Sequence, residues 1–521
     1  MFQPVYPLDL TLVLPMQVTS AGDPEALLVA ESWSRIDPLA RGAPEVELGY
    51  VYAELAYFHP HVREFLYGKA SPNPSGDSCG TVRAYRYAKL HPGHLLIEQD
   101  TWNTQLNVRD VYLHHVKPDA LLLSVHLSAT EPVPWPHALN IVSVARNISY
   151  QHYTQHLRKN ETGAEHLVWE GADAAILDRL RLIAGHQHKP VIDRGDEMRA
   201  AIHAREPKPL ALWDQLLGPL RAAGLDLSLL GDHRMATMVF VGVPAPEQIT
   251  DDEWFALAQA DSANYTQYAP AFRQEELRKA AYDRWWDKCA GPEKLKHRYL
   301  AGPMTFLSVT RWPQEPRPDY FERMRITWRR QHFQIFLLAH YQRAALLILE
   351  KRIASLAARI DPSATVPVER AILGEIERLQ GEIAQFSSGH WFPEISPQIQ
   401  GQELYQLLRK HVCLDALYKS VVEDKSLLGN WVEAVEANRR DRQWTSINRK
   451  YLPAVLLVAA LGATVITDPL KKLICSLLGN LAFWGSVPPD WQSLIAGILV
   501  LLLIWVIIWR VWRMFRPSGH Y

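Results

Sequence analysis

Cysteine is scarce in this chain: four in 521 residues, Cys79, Cys289, Cys413 and Cys475. They lie far apart with no paired spacing, which excludes a disulfide-stapled scaffold and a cysteine metal site and leaves reduced thiols as the expectation. An excess of either charge is also missing, since 55 Lys+Arg face 56 Asp+Glu for a net charge of -1. Nothing therefore draws the chain as a whole toward nucleic acid, and no nucleic-acid partner is expected. At 48% hydrophobic and 21% charged residues, a disordered polymer and a collagen-like repeat are excluded. The common catalytic signatures are absent: no Gly-rich loop ending in Gly-Lys-Ser/Thr, no His-Glu-x-x-His and no Gly-x-Ser-x-Gly. No catalytic residue is assigned, and an enzyme is not expected. The opening MFQPVYPLDL has no basic segment and no long apolar core, so no secretory signal is expected.

What the chain does have is an uneven distribution of that neutral charge. Residues 451–521 hold five basic and two acidic groups, whereas residues 1–450 hold 50 and 54. The C-terminal segment contains two uncharged runs, 17 residues from Tyr451 to Thr467 and 19 from Trp491 to Trp509. A membrane-spanning helix needs about 20 apolar residues, with a lower limit near 17. Arg439, Arg440, Arg442, Arg449 and Lys450 precede the first run, and Arg510, Arg513 and Arg516 follow the second. By the positive-inside rule both flanks stay on the cytoplasmic side, and Trp484, Trp491, Trp509 and Trp512 mark the water boundaries. The expectation is a two-span hairpin in the plasma (inner) membrane, with both termini cytoplasmic and the lipid bilayer as its surroundings.

Upstream, helical periodicity dominates. Asp319 to Ile360 contains neither Pro nor Gly and stops at Asp361 and Pro362, where the hydrogen-bond ladder cannot continue. Its apolar middle, Phe333 to Leu349, includes Gln334, His340, Gln342 and Arg343, which favours burial between helices over a lipid environment. A second helix opens at Pro367 with a heptad seam of Ile372, Ile376, Leu379, Ile383 and Phe386, placed antiparallel to the first by the short connection. A third starts near Gln402, with an apolar stripe through Leu404, Leu407, Leu414, Tyr418, Val421, Leu428 and Val432 that His411 and Lys425 interrupt. Run unbroken to Thr467, it would be on the order of 100 Å long at about 1.5 Å per residue.

Two shorter helices followed by one long helix that becomes the first of two C-terminal spans resembles the CorA-like divalent-cation channels. The stretch FPEISPQIQGQELYQLL at 392–408 is similar to CorA-like sequences as well. The resemblance implies an α+β cytoplasmic domain (1–318), a long α-helical stalk (319–450) and a two-helix C-terminal transmembrane hairpin (451–521). It further implies a homopentamer with the first span around a central pore, a divalent cation as the species handled, and an activator, small molecule or protein, acting on the cytoplasmic domain. The family's Gly-Met-Asn signature at the outer end of the first span is replaced here by Gly462 through Pro469, and the outer loop is about 23 residues, 468–490. In a pore of this kind Thr464 and Thr467 share one helical face with Leu457 and Leu461 below, and Asp468 forms a carboxylate ring at the mouth. Equally, Thr464 bonds its own backbone and Asp468 ends the helix before Pro469. Two function classes follow: an oligomeric cation channel or channel-like effector, and a membrane-anchored sensing module whose hairpin does not conduct.

Residues 1–318 read as mixed α and β. Segments 8–14, 81–88, 110–116, 120–128, 235–243 and 304–310 have strand composition, and 251–260 and 276–289 read as helices. The proline-rich stretch 130–138 marks a break, with a subdomain boundary near 135 one reading of it. His59 and His61, His114 and His115, and His186 and His188 are close pairs in a chain of 21 histidines, an abundance at which such pairs arise by chance.

Overall fold

A computed structural model describes residues 3–19, 24–31, 33–37, 39, 48–69, 81–88, 93–99, 102–116, 119–146, 165–170, 182–184, 211–231, 234–260, 268–286, 296–313, 319–359, 370–434, 437, 445, 469, 472–478 and 488–514. The strands are β1 (Pro4–Val5), β2 (Leu8–Thr19), β3 (Trp33–Ile36), β4 (Val82–Tyr87), β5 (Gly93–Gln99), β6 (Trp102–Val116), β7 (Ala120–Ala129), β8 (Val133–Pro134), β9 (Glu165–Glu170), β10 (Leu182–Ala184), β11 (Asp226–Leu229), β12 (Ala236–Val243), β13 (Ala281–Trp285), β14 (His297–Ala301) and β15 (Thr305–Arg311). The helices are α1 (Pro24–Ala30), α2 (Leu48–Tyr57), α3 (Pro60–Tyr67), α4 (Trp135–Ala145), α5 (Ala211–Ala222), α6 (Asp251–Gln259), α7 (Pro270–Ala280), α8 (Asp319–Thr327), α9 (Phe333–Ala358), α10 (Arg370–Gly389), α11 (Ile399–His411), α12 (414–434) and α13 (Pro489–Met514).

The fold is mixed α+β. Thirteen strands form one sheet along the path β10-β9-β5-β6-β7-β2-β12-β15-β14-β13, with β11, β3 and β4 attached to it. Its one parallel pair among the described strands is β12 with β15. β2 is the keel: β7 pairs along one edge, while the other is shared by β12, against Leu8–Val13, and β11, against Met16–Thr19. Pro15 sits in the gap between those two partners. A residue without an N–H is tolerated in a central strand only at such an interruption, and its carbonyl still accepts from Leu230 N at 3.1 Å.

Alternation along β2 sorts the two faces. Leu8, Leu10, Leu12, Leu14, Met16 and Val18 enter the main apolar core with α4, α5 and α6. The odd positions are more polar: Asp9 takes Arg325 and Arg329 and Gln17 accepts from Lys351, all on the helical layer, while Thr11 lies 3.1 Å from His126 Nδ1 of the neighbouring strand β7. α8 and α9 form a near-continuous helix joined by a π turn, Trp328–His332. α9 lies across β2, β7 and β12 and against α10 and α11, so every residue from Arg330 to Gln342 is buried. The Phe333–Leu349 stretch is thus buried between the sheet and helices, not between helices alone.

Two expectations are corrected. The helix read at 276–289 ends at Ala280, and Ala281–Trp285 is a strand paired with β14, because Tyr282 and Trp285 pack beside Tyr299 and His297. The proline-rich stretch 130–138 is β8, paired with β1, followed by the first turns of α4, and Val133, Trp135 and Ala138 lie in the same core as β2 and β7.

The chain divides into two compact units, Met1–Asp361 with Val368–Leu428, and Pro362–Pro367 with Gly429–Tyr521. In the second, α13 is a helix of 26 residues. No helix of the described residues is long and apolar enough to cross a membrane.

Asp9 is 4% exposed, and each of Arg325 and Arg329 grips it with two nitrogens at 2.7–2.9 Å. Burial alone raises its pKa, but the hydrogen bonds and charges of the two guanidinium groups outweigh that and hold it well below the ordinary value of 3.8. Asp9→Asn leaves two half-buried guanidinium groups without their carboxylate, with an expected loss of about 2–4 kcal/mol in urea unfolding at neutral pH. That loss is present above the unfolded carboxylate value near 4 and shrinks as the pH falls below it, where the wild type loses the same contribution. Burial also lowers His297, His332 and His340 from 6.5 to about 3, with His332 adding to the effect on His297 and Arg343 to that on His340. The unfolded chain therefore binds more protons between those values, and stability rises with pH across the window. The unfolding free energy from urea titration should fall steadily from pH 7 to 4, with these three histidines contributing a slope that approaches about 4 kcal/mol per pH unit at the acid end, and His340→Phe should remove roughly a third of that contribution.

Candidate functional site

The pore residues expected from sequence, Leu457, Leu461, Thr464, Thr467 and Asp468, lie outside the described residues, as does the rest of the first uncharged run. The site that the described residues build is in the first unit, a cavity of about 550 Å³ where the ends of β4, β6 and β7 meet α9 and α10. Helix pairing creates it. Residue numbers on α9 rise as those on α10 fall: Tyr341 meets His390 and Arg352 meets Glu382. The expected antiparallel arrangement is therefore present, with the seam Ile372, Ile376, Leu379, Ile383 and Phe386 buried. Toward the His390 end the pair meets the strand ends, and Ala345, Ile348, Leu349 and Phe386 form one wall of the cavity.

Polar groups converge on the cavity from three elements. Arg352 holds Glu382 in a forked ion pair and approaches Asp119 at 3.6 Å. Asp119 follows β6 in the turn to β7, and its carbonyl anchors β2 by accepting from Val18 N at 2.8 Å. Burial raises the Asp119 pKa, against the opposing pull of Arg352. Arg83, on β4, is already paired with Glu25, which His115 approaches at 3.4 Å. His114 points to the opposite face, 3.1 Å from Ser124 and against Phe333, as alternation along a strand requires.

His390 connects the cavity to the rest of the helical layer. Burial lowers its pKa to about 4 and raises that of Tyr341 far above the ordinary phenol value. The 2.6 Å bond between them therefore runs from the Tyr341 hydroxyl to a neutral ring's Nδ1, which fixes the Nε2–H tautomer. Gln342 Nε2 donates to the His390 carbonyl at 2.8 Å and Tyr405 donates to Gln342 Oε1 at 2.7 Å.

The next residue, Trp391, stacks on Tyr418 of α12 with ring centres 4.3 Å apart and planes 8° from parallel. Arg409 lies over the other face of the same indole at 4.3 Å, donates to the Phe392 carbonyl at 2.8 Å and pairs with Asp415. This cluster locks an elbow. The unbroken helix expected from Gln402 onward is interrupted at Val412 and Cys413, where Cys413 has φ +57° and the ladder restarts with Leu417 N donating to Cys413 O. The stretch 392–408 singled out in the sequence is the socket of this elbow. Gln402 and Gln406 donate to the Pro393 carbonyl, Gln400 donates to Tyr299, and a Cβ on Gly401 would lie 2.6 Å from the Tyr57 hydroxyl. His411 and Lys425, which interrupt the stripe, are half-buried, and His411 faces the Lys279 carbonyl at 3.2 Å.

Sequence reading missed Asp119, Arg352, Glu382 and His390. The mirrored spacing of Arg352 and Arg359 against Glu382 and Glu375 was the available signal. A cysteine in the left-handed region leaves none. Among the described residues no group of three or more His, Cys, Asp or Glu is placed to hold a metal ion.

No protein-family model matches the sequence and no curated protein matches it. Among solved structures, the complete structure of the CorA magnesium transporter from Methanocaldococcus jannaschii is similar at 13% identity, covering 56% of this chain and 95% of that one. Its TM-score is 0.14, a similarity too weak to carry an argument.

The elbow makes a prediction of sign. Glycine in a helix interior costs about 1 kcal/mol relative to alanine, whereas glycine at a left-handed position relieves strain of about 1 kcal/mol. Cys413→Gly is expected to raise unfolding stability by about 0.5–1 kcal/mol in chemical denaturation. A decrease of that size would mean that an uninterrupted helix passes through residue 413.

Proposed function

We propose that this chain is a CorA-like oligomeric membrane channel or channel-like effector, gated through its N-terminal α+β unit and conducting cations. The observation that carries this reading is the order of elements at the C-terminal end. Helix α12 leads in sequence, through a run of cations, into the uncharged segment Tyr451–Thr467, and the 26-residue α13 follows after the intervening segment 468–488. In its middle, residues 494–509, LIAGILVLLLIWVIIW, α13 is apolar on every face, which no soluble core helix requires. Its described side chains support this: Trp491, Leu494, Ile498, Leu502 and Trp505 are all exposed, as in a lipid-facing or subunit-facing helix. The proposal places the hairpin in the inner membrane with both termini cytoplasmic, and five copies around a central axis. Leu457 and Leu461 then form an apolar constriction, Thr464 and Thr467 the polar outer wall, and Asp468 a carboxylate ring at the mouth.

A second reading keeps the hairpin but only as an anchor for a sensing module. It is favoured by the replacement of Gly-Met-Asn and by the 468–490 loop, in which 472–478 is helical with Leu473 and Leu477 exposed. The two readings separate on Asp468→Asn. In reconstituted liposomes a cation pore loses conductance or cation preference several-fold with this change, and an anchor does not respond. A chain that is monomeric in detergent and conducts nothing leaves only the anchor.

A further inference from the structure

The cavity between the sheet and the α9–α10 pair has a charge arrangement that selects a ligand class. Two carboxylates, Asp119 and Glu382, share one guanidinium. Glu382 takes the forked bond, so Asp119 is left with a contact of 3.6 Å, beyond hydrogen-bonding length. The second guanidinium in the wall, Arg83, is committed to Glu25 and is not available to balance it. The cavity wall itself holds two carboxylates, Asp119 and Glu382, and one guanidinium, Arg352, that both of them approach. Opposite the acidic end the wall is apolar and aromatic, with Tyr341, Ile348, Leu349 and Phe386 all nearly buried. A volume of about 550 Å³ accommodates a small organic molecule and greatly exceeds what a bare ion fills.

We propose that this cavity binds a small amphiphilic cation, a primary ammonium on an aromatic or branched aliphatic body. The ammonium lies between Asp119 and Glu382, and the body lies against Ile348, Leu349 and Phe386. An ammonium is a compact cation with three donors. It gives Asp119 the hydrogen bond that Arg352 does not supply, and the aromatic rings flank its stem. An anionic ligand would instead have to displace Glu382 from Arg352, leaving a carboxylate unpaired, which is costly.

The position also connects occupancy to the elbow. His390 is part of the cavity wall, and its neighbour Trp391 carries the stacks with Tyr418 and Arg409 that orient α12. This last step deepens the gating reading and rests on it; the binding does not.

The test uses the purified full-length chain in detergent, with isothermal titration of three probes of matched shape: phenethylammonium, 3-phenylpropanoate and 2-phenylethanol. Phenethylammonium is expected to bind saturably with a dissociation constant of about 1 mM or below, and the other two at least tenfold more weakly. Asp119→Asn is expected to weaken phenethylammonium about tenfold, the value of one charge-assisted hydrogen bond. Ala345→Trp, which fills the cavity from α9, is expected to abolish binding. Thermal melting of both variants checks that they fold, and titration of Glu382→Gln, which removes the other carboxylate at the ammonium position, covers the case in which Asp119→Asn does not fold: it is expected to weaken phenethylammonium about tenfold, and unchanged affinity there overturns the proposal. Equal binding of all three probes, tighter binding of the carboxylate, or unchanged affinity in a folded Asp119→Asn protein overturns the proposal. Absence of phenethylammonium binding overturns it as well. Binding without any change in liposome flux upholds this site and counts only against the channel reading.

Discussion

The structure turns on a carboxylate in the middle of a sheet. Asp9 sits on the central strand with its charge intact, and an ion in that position persists only when its partners satisfy every lone pair. Arg325 and Arg329 do so from adjacent turns of one helix, so the contact fixes where α8 lies along the strand and how it is rotated. The remaining placements in the helical layer follow from that rotation. Arg330 reaches Glu54 on α2 and Gln334 donates to the same carboxylate. Phe333 meets the His114 and His126 rings, and Tyr341 and Arg352 face the strand ends where the cavity opens.

Within that frame the two sides of the cavity are held differently. The sheet and α9 are tied by the clamp and by apolar burial over most of their length. α10 and the segment beyond it are held at the cavity by a few polar contacts: Arg352 to Glu382, Tyr341 to His390, Gln342 to the His390 carbonyl. Those contacts continue into the Trp391–Arg409–Tyr418 stack, so the cavity wall and the start of α12 are joined by side-chain contacts and not by backbone alone.

Much of the first layer of organisation was legible in the residues. Freedom from Pro and Gly marked 319–360 as a helix, the 372–386 heptad marked its antiparallel partner, and six strand segments were read from composition close to where they fall. The role of Asp9 was hidden because the composition of LDLTLVL marks a strand without saying what covers its second face. That face is covered by the helical layer, and Asp9 and Gln17 are the positions that take cations from it. The strand at 281–285 was lost because Ala-Tyr-Asp-Arg-Trp continues a helical composition, and only its pairing with β14 overrides that. The elbow at Cys413 has no residue signature at all: it is imposed by Trp391, Arg409 and Asp415, which act from outside the helix. The cavity depends on long-range convergence of residues from 81 to 390, which no local pattern records.

The π turn at Trp328–His332 has one more residue per turn than the helices it joins. That extra residue rotates everything after it by about 100° relative to an uninterrupted α-helix. The arginines that hold Asp9 lie at or before the turn, and the histidines and phenylalanines that fill the sheet face lie at its end and beyond. Both sets are satisfied together only in this phase. A single-residue deletion between 325 and 333 that restored ordinary helical geometry would keep the clamp and the buried face in phase with each other, whereas a deletion in the helix beyond 333 would rotate the residues after it by about 100° away from their partners. In genetic terms, this stretch is a point where the loss of one codon is absorbed more readily than in the helix that follows it.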